Sequence, residues 1–505
     1  GDTYWWHENV FYEVFVRSFY DSDGDGTGDI RGLIEKLDYL NDGNPETDSD
    51  LGITGIWLMP IFQSPSYHGY DVSDYRQINR DYGKLSDFSQ LIRETKKRGI
   101  KLIVDMVINH SSIQHPWFTE RTEWYRWSVF KPANSGPWGQ EVWHRHQNGS
   151  YYYGLFWEGM PDLNYRQEGL YHEILDICRY WLSDIGVDGF RLDAVKYIYE
   201  SENKLENLDE TFAFWRDFQK DIVNIKSDAV NIGEAWDETE VVSEYINRAN
   251  LDLCFEFDLA TTLINDIIND SPTQTVAKMK TIKGKYRYHS YSTFLTNHDQ
   301  DRVASRFNDR ISDLKLAAAV YLSLPGVPVI YYGEEIAMRG TGDHLNVRRP
   351  MQWNDLDHAG FSTTKPWNDI DSHYRSANVQ IMQTNPDSLW HRYRKWIDLR
   401  QNYKALSRGT YQAIRSTNGV VYAFLRQYGD QAVCALHNFS SYQLTDLRFD
   451  IDRSNIPGGE YRIIDLMSKQ YLSDIHVDEN GGFSNWNPIN VIEAKDSRLL
   501  LFKKN

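Results

Sequence analysis

The chain has 505 residues, 41% apolar and 25% charged, a balance ordinary for a globular enzyme and a length that calls for two or three domains rather than one. No uninterrupted apolar stretch approaches the ~18 residues of a membrane helix, which argues against a membrane protein. Against 54 basic residues stand 72 acidic ones, and the net charge of −18 disfavours nucleic acid and anionic membranes as partners while leaving a neutral one open.

Gly1-Asp2-Thr3 opens directly into an aromatic run with no visible signal peptide, so the compartment is read from function. Apolar, strand-like runs then recur at residues 11–16 (FYEVFV), 53–59 (ITGIWLM), 101–107, 187–192, 229–233, 251–257, 291–296 and 327–332 (VPVIYY). Between them, the spacing of Ile30, Leu33, Ile34, Leu37 and Leu40 predicts one helix; that of Leu85, Phe88, Leu91 and Ile92 predicts another, with Gly99 as its C-terminal cap. Alternating strands and helices imply a parallel sheet. Eight such units, with no GxGxxG or P-loop fingerprint, predict a closed α/β TIM (β/α)8 barrel rather than an open sheet.

Two intervals are abnormal. Residues 111–167 after the third strand (HPWFTERTEWYRW, NSGPWGQEVWHRHQNGSYYYG) are too long for a βα loop and too aromatic for disorder, and predict an inserted domain. A second aromatic excursion, 333 to about 384, separates the eighth strand from a helix holding Leu389, Trp390, Trp396 and Leu399. From residue 408 the pattern changes to short alternating strands (VVYAFLRQ, QAVCALHNF) with turns at Gly458-Gly459 and Asn480-Gly481-Gly482, predicting a C-terminal antiparallel β-sandwich. The expected division is barrel at 1–110 and 168–407, inserted domain at 111–167 and β domain at 408–505. Cys178, Cys254 and Cys434 are too few and too scattered for a disulfide framework or a metal pair, and read as buried thiols.

Four carboxylates stand at or just beyond strand ends: Asp105 in KLIVDMVINH, Asp193 in VDGFRLDAVKY, Glu234 in AVNIGEAW and Asp299 in STFLTNHD. Strand ends of a parallel barrel open onto one face, so these acids can converge. Cleaving a glycosidic bond needs a carboxylate on each side of the anomeric carbon, because the transition state is cation-like and the leaving oxygen needs a proton. Spacing alone equally allows a Mg2+-binding acid cluster or structural pairing with Arg191.

The flanking residues narrow this. The chain resembles the α-amylase family of glycoside hydrolases (family 13), with the family's segments in order as GITGIWLMP (52–60), DMVINH (105–110), MPDLN (160–164), GFRLDAVKY (189–197), GEAW (233–236), FLTNHD (294–299) and GVPVIYYGEE (326–335). The resemblance implies Asp193 as nucleophile, Glu234 as general acid/base, Asp299 as the acid that steadies the charged sugar and Asp105 as a supporting acid. Arg191, two residues before Asp193 on a strand, points to the same side and can hold that carboxylate ionised. Glu234 needs its proton, and a nearby ionised Asp299 would raise its pKa in the required direction. His110 and His298, within the same motifs, are expected to contact sugar hydroxyls, and Tyr70 in YHGYDVSDY to stack on the sugar. Lys196 matches the position that contacts sugar on the leaving-group side, although Tyr197 departs from the usual His. Ala194 directly after the nucleophile looks like the α-1,4 pattern, whereas RRPMQW (348–353) and the DSDGDGTGD loop resemble the oligosaccharide-acting subfamily.

Asp21, Asp23, Asp25, Thr27 and Asp29 alternate like the start of an EF-hand loop, with Gly26 for the turn, but the twelfth position is Gly32 and not Glu. Four acids in nine residues still make a good Ca2+ site, and relatives bind Ca2+ at this loop. In typical members of the family Asn109 helps bind a Ca2+ between barrel and inserted domain, and the sequence leaves open whether this chain has that second site. The expected protein is a retaining α-glucan or malto-oligosaccharide hydrolase, monomeric and extracellular; the alternatives are an oligo-α-glucosidase, or a transglycosylase or isomerase of the same family. A non-enzymatic carbohydrate-binding barrel would lack acids that this chain retains.

Overall fold

The structure is a computed structural model and describes residues 4–505; Gly1, Asp2 and Thr3, where the absence of a leader was read, lie outside the described residues. Eight short parallel strands form the barrel: β1 (Phe11–Val14), β2 (Gly55–Leu58), β3 (Lys101–Met106), β4 (Gly189–Leu192), β5 (Val230–Gly233), β6 (Leu253–Cys254), β7 (Ser292–Thr293) and β8 (Val327–Tyr331). Their order is β6-β5-β4-β3-β2-β1-β8-β7, and a parallel bridge between Phe255 and Ser292 joins the two ends into a closed ring. All eight apolar runs therefore become strands. The runs at 251–257 and 291–296 shorten to two paired residues each, because they meet at the seam, where one bridge closes the ring.

Period-two alternation sorts each strand into two environments. Phe11, Trp57, Ile103, Val230, Ile232, Val327 and Val329 pack inside the barrel with Phe255 and Phe294. Tyr12, Val14, Ile56, Leu58, Leu102, Val104, Phe190 and Leu192 face outward to the helical layer. The inward row continues upward from Phe11 to Glu13, from Ile103 to Asp105 and from Ile232 to Glu234, while Arg191 lies between the outward Phe190 and Leu192. Polar groups thus arrive at one mouth of the barrel by strand geometry alone.

The helix predicted from Ile30 to Leu40 divides at Lys36 into Ile30–Glu35 and Leu37–Leu40. The ammonium of Lys36 lies 4.5 Å above the rings of both Tyr20 and Trp353. Leu85–Lys97 forms as predicted, burying Phe88 and Leu91, and is followed by Gly99 at φ 72°. The segment after β3 carries a three-stranded antiparallel sheet with Tyr151–Tyr153 between Trp127–Ser128 and Trp143–Arg145, the expected insertion. Cys178, Cys254 and Cys434 are free and buried. Among the described residues no helix is long and apolar enough to cross a membrane.

The C-terminal region, read as a sandwich, is one eight-stranded antiparallel sheet plus a two-stranded ribbon. Its edge strands, Gln470–Val477 and Phe483–Trp486, are consecutive in the chain, so the sheet curls round its own apolar core of Leu436, Phe449, Ile463, Trp486 and Phe502. Arg426, buried in its second strand, fastens it to the barrel by donating to Ser323 O at 2.7 Å, beside Arg400 of the last barrel helix, which donates to Leu322 O and Leu324 O at 2.8 Å. Both sit at the C-terminal end of the helix Ile311–Ser323, where cations complement the helix dipole.

Gly189 opens β4 at φ 153°, and a Cβ there would lie 2.1 Å from Val230 O on the neighbouring strand. Gly189→Ala is expected to destabilise the protein by about 3 kcal/mol, read as a lowered urea midpoint; an unchanged midpoint would show that β4 and β5 are not packed this closely.

Candidate active site

The barrel mouth is organised by hydrogen bonds that cross from strand to strand. Arg191 is opposite Asp105 in the β3–β4 register and is fully buried. Its Nη1 lies 2.8 Å from Asp193 Oδ1 and 3.2 and 3.3 Å from the two oxygens of Asp105. Asp105 also accepts from Tyr70 OH at 2.9 Å and Trp57 Nε1 at 3.2 Å. Burial pushes its carboxyl up and Asp193 adds to that, while the Arg191 guanidinium and the Tyr70 hydroxyl act in the opposite direction.

Since Tyr70 OH donates to Asp105, it accepts from His298 Nε2, 2.8 Å away, and that nitrogen therefore carries a proton. His298 Nδ1 lies 2.6 Å from Glu13 Oε2. Asp299, Glu13 and this hydrogen bond raise the pKa of His298 against the opposing effect of burial, which alone would lower it. The imidazolium sits 3.4 Å from Asp299 Oδ2, and Arg348 donates to Asp299 Oδ1 at 2.9 Å. Burial pushes the Asp299 carboxyl up, but these two cations prevail and hold it down at about 2.

Glu234 has a different setting. The chain turns at Ala194 through a left-handed conformation (φ 53°, ψ 43°), and the Ala194 N–H donates to Glu234 Oε2 at 2.8 Å. The residue next to Asp193 in sequence thereby fixes the Glu234 carboxyl. Burial pushes Glu234 up to about 8; Asp193 adds to this, and Arg191 and the Ala194 N–H pull back. Asp299, expected from the sequence to raise Glu234, does so, but contributes less than burial or Asp193.

A cleft of about 870 Å³ opens above these groups, lined by Tyr70, His110, Asp193, Lys196, Glu234, Asp299 and Arg348 among others. Both aromatic excursions reach it, the first through Trp138, Phe156 and Met160 and the second through His344 and Arg348. Trp138, Phe156 and Tyr197 form a rim, with ring centroids 5.6 Å (Trp138–Phe156) and 5.3 Å (Phe156–Tyr197) apart. His110 lines the cleft, but its Nε2 contacts Tyr70 O at 3.1 Å and its Nδ1 contacts Asn109 Nδ2 at 3.1 Å. Lys196 has Trp236 O at 2.8 Å, Glu206 at 3.1 Å and Asp237 at 3.2 Å, which accounts for its three N–H groups.

Sequence reasoning missed Glu13, Trp57, Arg348, Glu206 and Asp237. Glu13 carried a signal as the one acid in FYEVFV, and Arg348 lay within the RRPMQW segment. In the acidic loop, Asp21, Asp23 and Asp29 each bring one carboxylate oxygen within 4.8 Å of the others. Asp25 lies outside that group; like Asp23 it is exposed, and its Oδ1 accepts from Thr27 N at 2.9 Å as Asp23 Oδ1 accepts from Asp25 N at 3.3 Å. Three oxygen donors suit a hard divalent cation. The buried Asp21 is anchored by Gly24 N, Gly26 N and Ser362 Oγ at 2.7–3.0 Å, so the loop has a fixed shape.

The family model described as "Alpha amylase, catalytic domain" matches residues 13–409. A relative named Alpha-amylase 3, from Dictyoglomus thermophilum, is 36% identical over 460 residues, covering 87% of this chain and 86% of its own length. Oligo-1,6-glucosidase of Parageobacillus thermoglucosidasius is 31% identical over 526 residues, with 86% and 90% covered. The crystal structure of an α-amylase from H. orenii superposes with a TM-score of 0.84 at 37% identity, covering 98% of this chain and 99% of that one.

The two shifted acids have opposite pH signatures. Asp299, depressed, contributes stability that is present above its unfolded pKa near 4 and is lost as pH falls toward 2. Glu234, raised, gives the reverse: stability is greatest below its unfolded pKa and declines as pH rises to about 8. Glu234→Gln is therefore expected to be more stable than the parent at pH 9, by on the order of a few kcal/mol, and no more stable at pH 4; equal gains at both pH values in thermal melts would contradict the burial assignment.

Proposed function

The chain belongs to the α-amylase family of glycoside hydrolases (family 13), and from that premise we propose that it is a retaining hydrolase of α-1,4-glucosidic bonds in starch, maltodextrins or malto-oligosaccharides. The observation that carries the reading is the unequal supply of cations to the three acids at the mouth. Asp193 has the guanidinium of Arg191, Asp299 has His298 and Arg348, and Glu234 has a single backbone N–H. Two ionised acids and one protonated acid are the set this chemistry needs.

In the proposed reaction Asp193 attacks the anomeric carbon while Glu234 passes its proton to the glycosidic oxygen, so the bond to the leaving sugar breaks as the ester to Asp193 forms. Glu234, now a carboxylate, takes a proton from water, whose oxygen attacks the same carbon and releases Asp193. Asp299 balances the charge that develops on the sugar ring. Asp105 and Arg191 hold Asp193 in place, Tyr70 and His298 floor the sugar site, and His110 and Lys196 border it. The leaving group lies on the side of the proton donor, where Lys196, Glu206 and Asp237 gather. With the Lys196 ammonium already enclosed there, a neutral leaving sugar is favoured over a phosphorylated one.

Preference for α-1,4 bonds rests on Ala194 after the nucleophile and on the similarity to α-amylases. A second reading, an α-1,6-acting oligoglucosidase, is favoured by RRPMQW, whose Arg348 binds Asp299 and Tyr67 at the cleft wall, and by the similarity to oligo-1,6-glucosidase. A polymeric substrate implies secretion, and one chain builds the whole cleft, consistent with a monomer. We assign Ca2+ to the loop of Asp21, Asp23, Asp25, Thr27 and Asp29, a reading supported by the clustering of Asp21, Asp23 and Asp29.

Two experiments test this. Products from soluble starch, maltotriose, isomaltose, pullulan and sucrose, with anomers followed by NMR, should show retention and cleavage of α-1,4 bonds, and Asp193→Asn should lose turnover while keeping substrate binding; inversion, or no action on any α-1,4 glucan, sinks the reading. Chelation should remove one Ca2+ and lower the melting temperature, and Asp23→Ala should abolish both effects; a protein without Ca2+ whose melting ignores chelator contradicts the metal assignment.

A further inference from the structure

In typical members of the family Asn109 helps bind a Ca2+ at the junction between barrel and inserted domain, and here that junction carries a cation of the chain's own. Two carboxylates meet there: Asp162, near the end of the insertion, and Glu200, in the loop after β4, both buried. Asp162 Oδ1 accepts from Leu155 N at 2.9 Å, and its Oδ2 lies 3.5 Å from Asn109 Nδ2. Between the elements lies Arg126, which donates from Nη1 to Glu200. Its guanidinium is packed over the rings of Tyr153 and Trp143, 5.5 and 5.8 Å from their centroids. Tyr153 N donates to Arg126 O and Asp162 N donates to Tyr153 O, both at 3.0 Å, so the arginine and the acid are held by one short run of backbone. Burial pushes both carboxyls up, Glu200 repels Asp162, and Arg126 opposes the shift at each of them. Arg166 is a second cation at the outer edge, with Nη2 3.4 Å from Glu200 O.

We propose that Arg126 is a built-in cation that takes the place of a divalent metal ion at this junction and positions Asn109 and His110 beside the cleft. A divalent ion against the same carboxylates would face a guanidinium at contact distance, which disfavours it. The only group of three or more metal-capable His, Cys, Asp or Glu side chains among the described residues is Asp21, Asp23 and Asp29, elsewhere in the molecule. The link to the active site is short. Asn109 Nδ2 contacts both Asp162 and His110 Nδ1, Leu163 N donates to Asn109 O at 3.0 Å, and His110 pairs with Asp162 through the backbone. Neutralising Asp162 and Glu200 holds the insertion against the strand-end loop that carries His110. The buried Oδ1 of Asn109 has no hydrogen-bond partner; with Arg126 removed, it would complete an all-oxygen set with Asp162 and Glu200.

The experiment uses the full chain carrying Asp23→Ala, so that the acidic loop does not contribute metal. This protein should hold no Ca2+ by metal analysis and show the same melting temperature with and without chelator. Adding Arg126→Ala should lower the melting temperature and raise KM several-fold with a smaller change in kcat, and millimolar Ca2+ or ethylguanidinium should restore both; Arg126→Lys should keep most of the parent behaviour. Retention of one chelatable, stabilising Ca2+ with Arg126 intact would overturn the proposal, and that measurement stands even if Arg126→Ala does not fold. Unchanged melting and KM in Arg126→Ala, or a loss that neither cation relieves and Arg126→Lys shares, would overturn it as well. Failure of the acidic-loop assignment is a separate result, seen as wild-type protein without Ca2+.

Discussion

A single guanidinium is shared between two carboxylates at the mouth of the barrel. Arg191 has no solvent exposure, its Nη1 touches both Asp105 and Asp193, and its other nitrogens, Nε and Nη2, have no hydrogen-bond partner. Their burial is offset by aromatic faces, since the guanidinium carbon lies 4.8 Å from the ring centre of Trp57, 5.9 Å from Tyr70 and 6.0 Å from Phe255. Removing one partner from a buried pair of this kind costs about 3–5 kcal/mol, because the remaining charge is left uncompensated. The arrangement therefore fixes position and charge together.

The consequence spreads to the other acids. Glu234, beside this centre, is raised by desolvation above all, with Asp193 adding to it and Arg191 opposing it. Asp299 escapes this because the second aromatic excursion delivers Arg348, and Glu13 on β1 keeps His298 charged. The three carboxyls differ in setting: Asp193 and Asp299 each contact a side-chain cation, whereas Glu234 accepts a backbone N–H and is raised by desolvation. The same contrast recurs outside the cleft, where Arg126 serves Glu200 and Asp162, and in the acidic loop, where three carboxylates gather with no side-chain cation among them.

Much of this was legible from residue order. Eight apolar runs gave eight strands because a closed parallel barrel needs continuous apolar segments, and an inward row of period two carries Asp105 to the mouth. Partners that come from distant segments without periodicity were not legible. Arg348 arrives from a stretch of short turns, and Lys196 proves to be enclosed by Glu206 and Asp237, whose spacing bears no relation to it. Glu13 stood out as the one acid in an apolar strand, but only the position of His298 gives it a purpose. Alternation placed five residues of the acidic loop together, and three of them, Asp21, Asp23 and Asp29, gather their carboxylates in the fold. The curled single sheet at the C-terminus likewise depends on which strands become edges, and strand composition does not encode that.

In the proposed reaction Asp193, paired with Arg191, is the nucleophile and Glu234 the proton donor. Its most direct test is to trap the intermediate with a fluorinated α-glucosyl fluoride that forms the ester faster than water resolves it, and then to map the adduct by peptide mass spectrometry. One glycosyl group per chain is expected on the peptide containing Asp193, and no adduct in Asp193→Asn. A label on Asp105, Glu234 or Asp299, or turnover of the reagent with no covalent species, would contradict it.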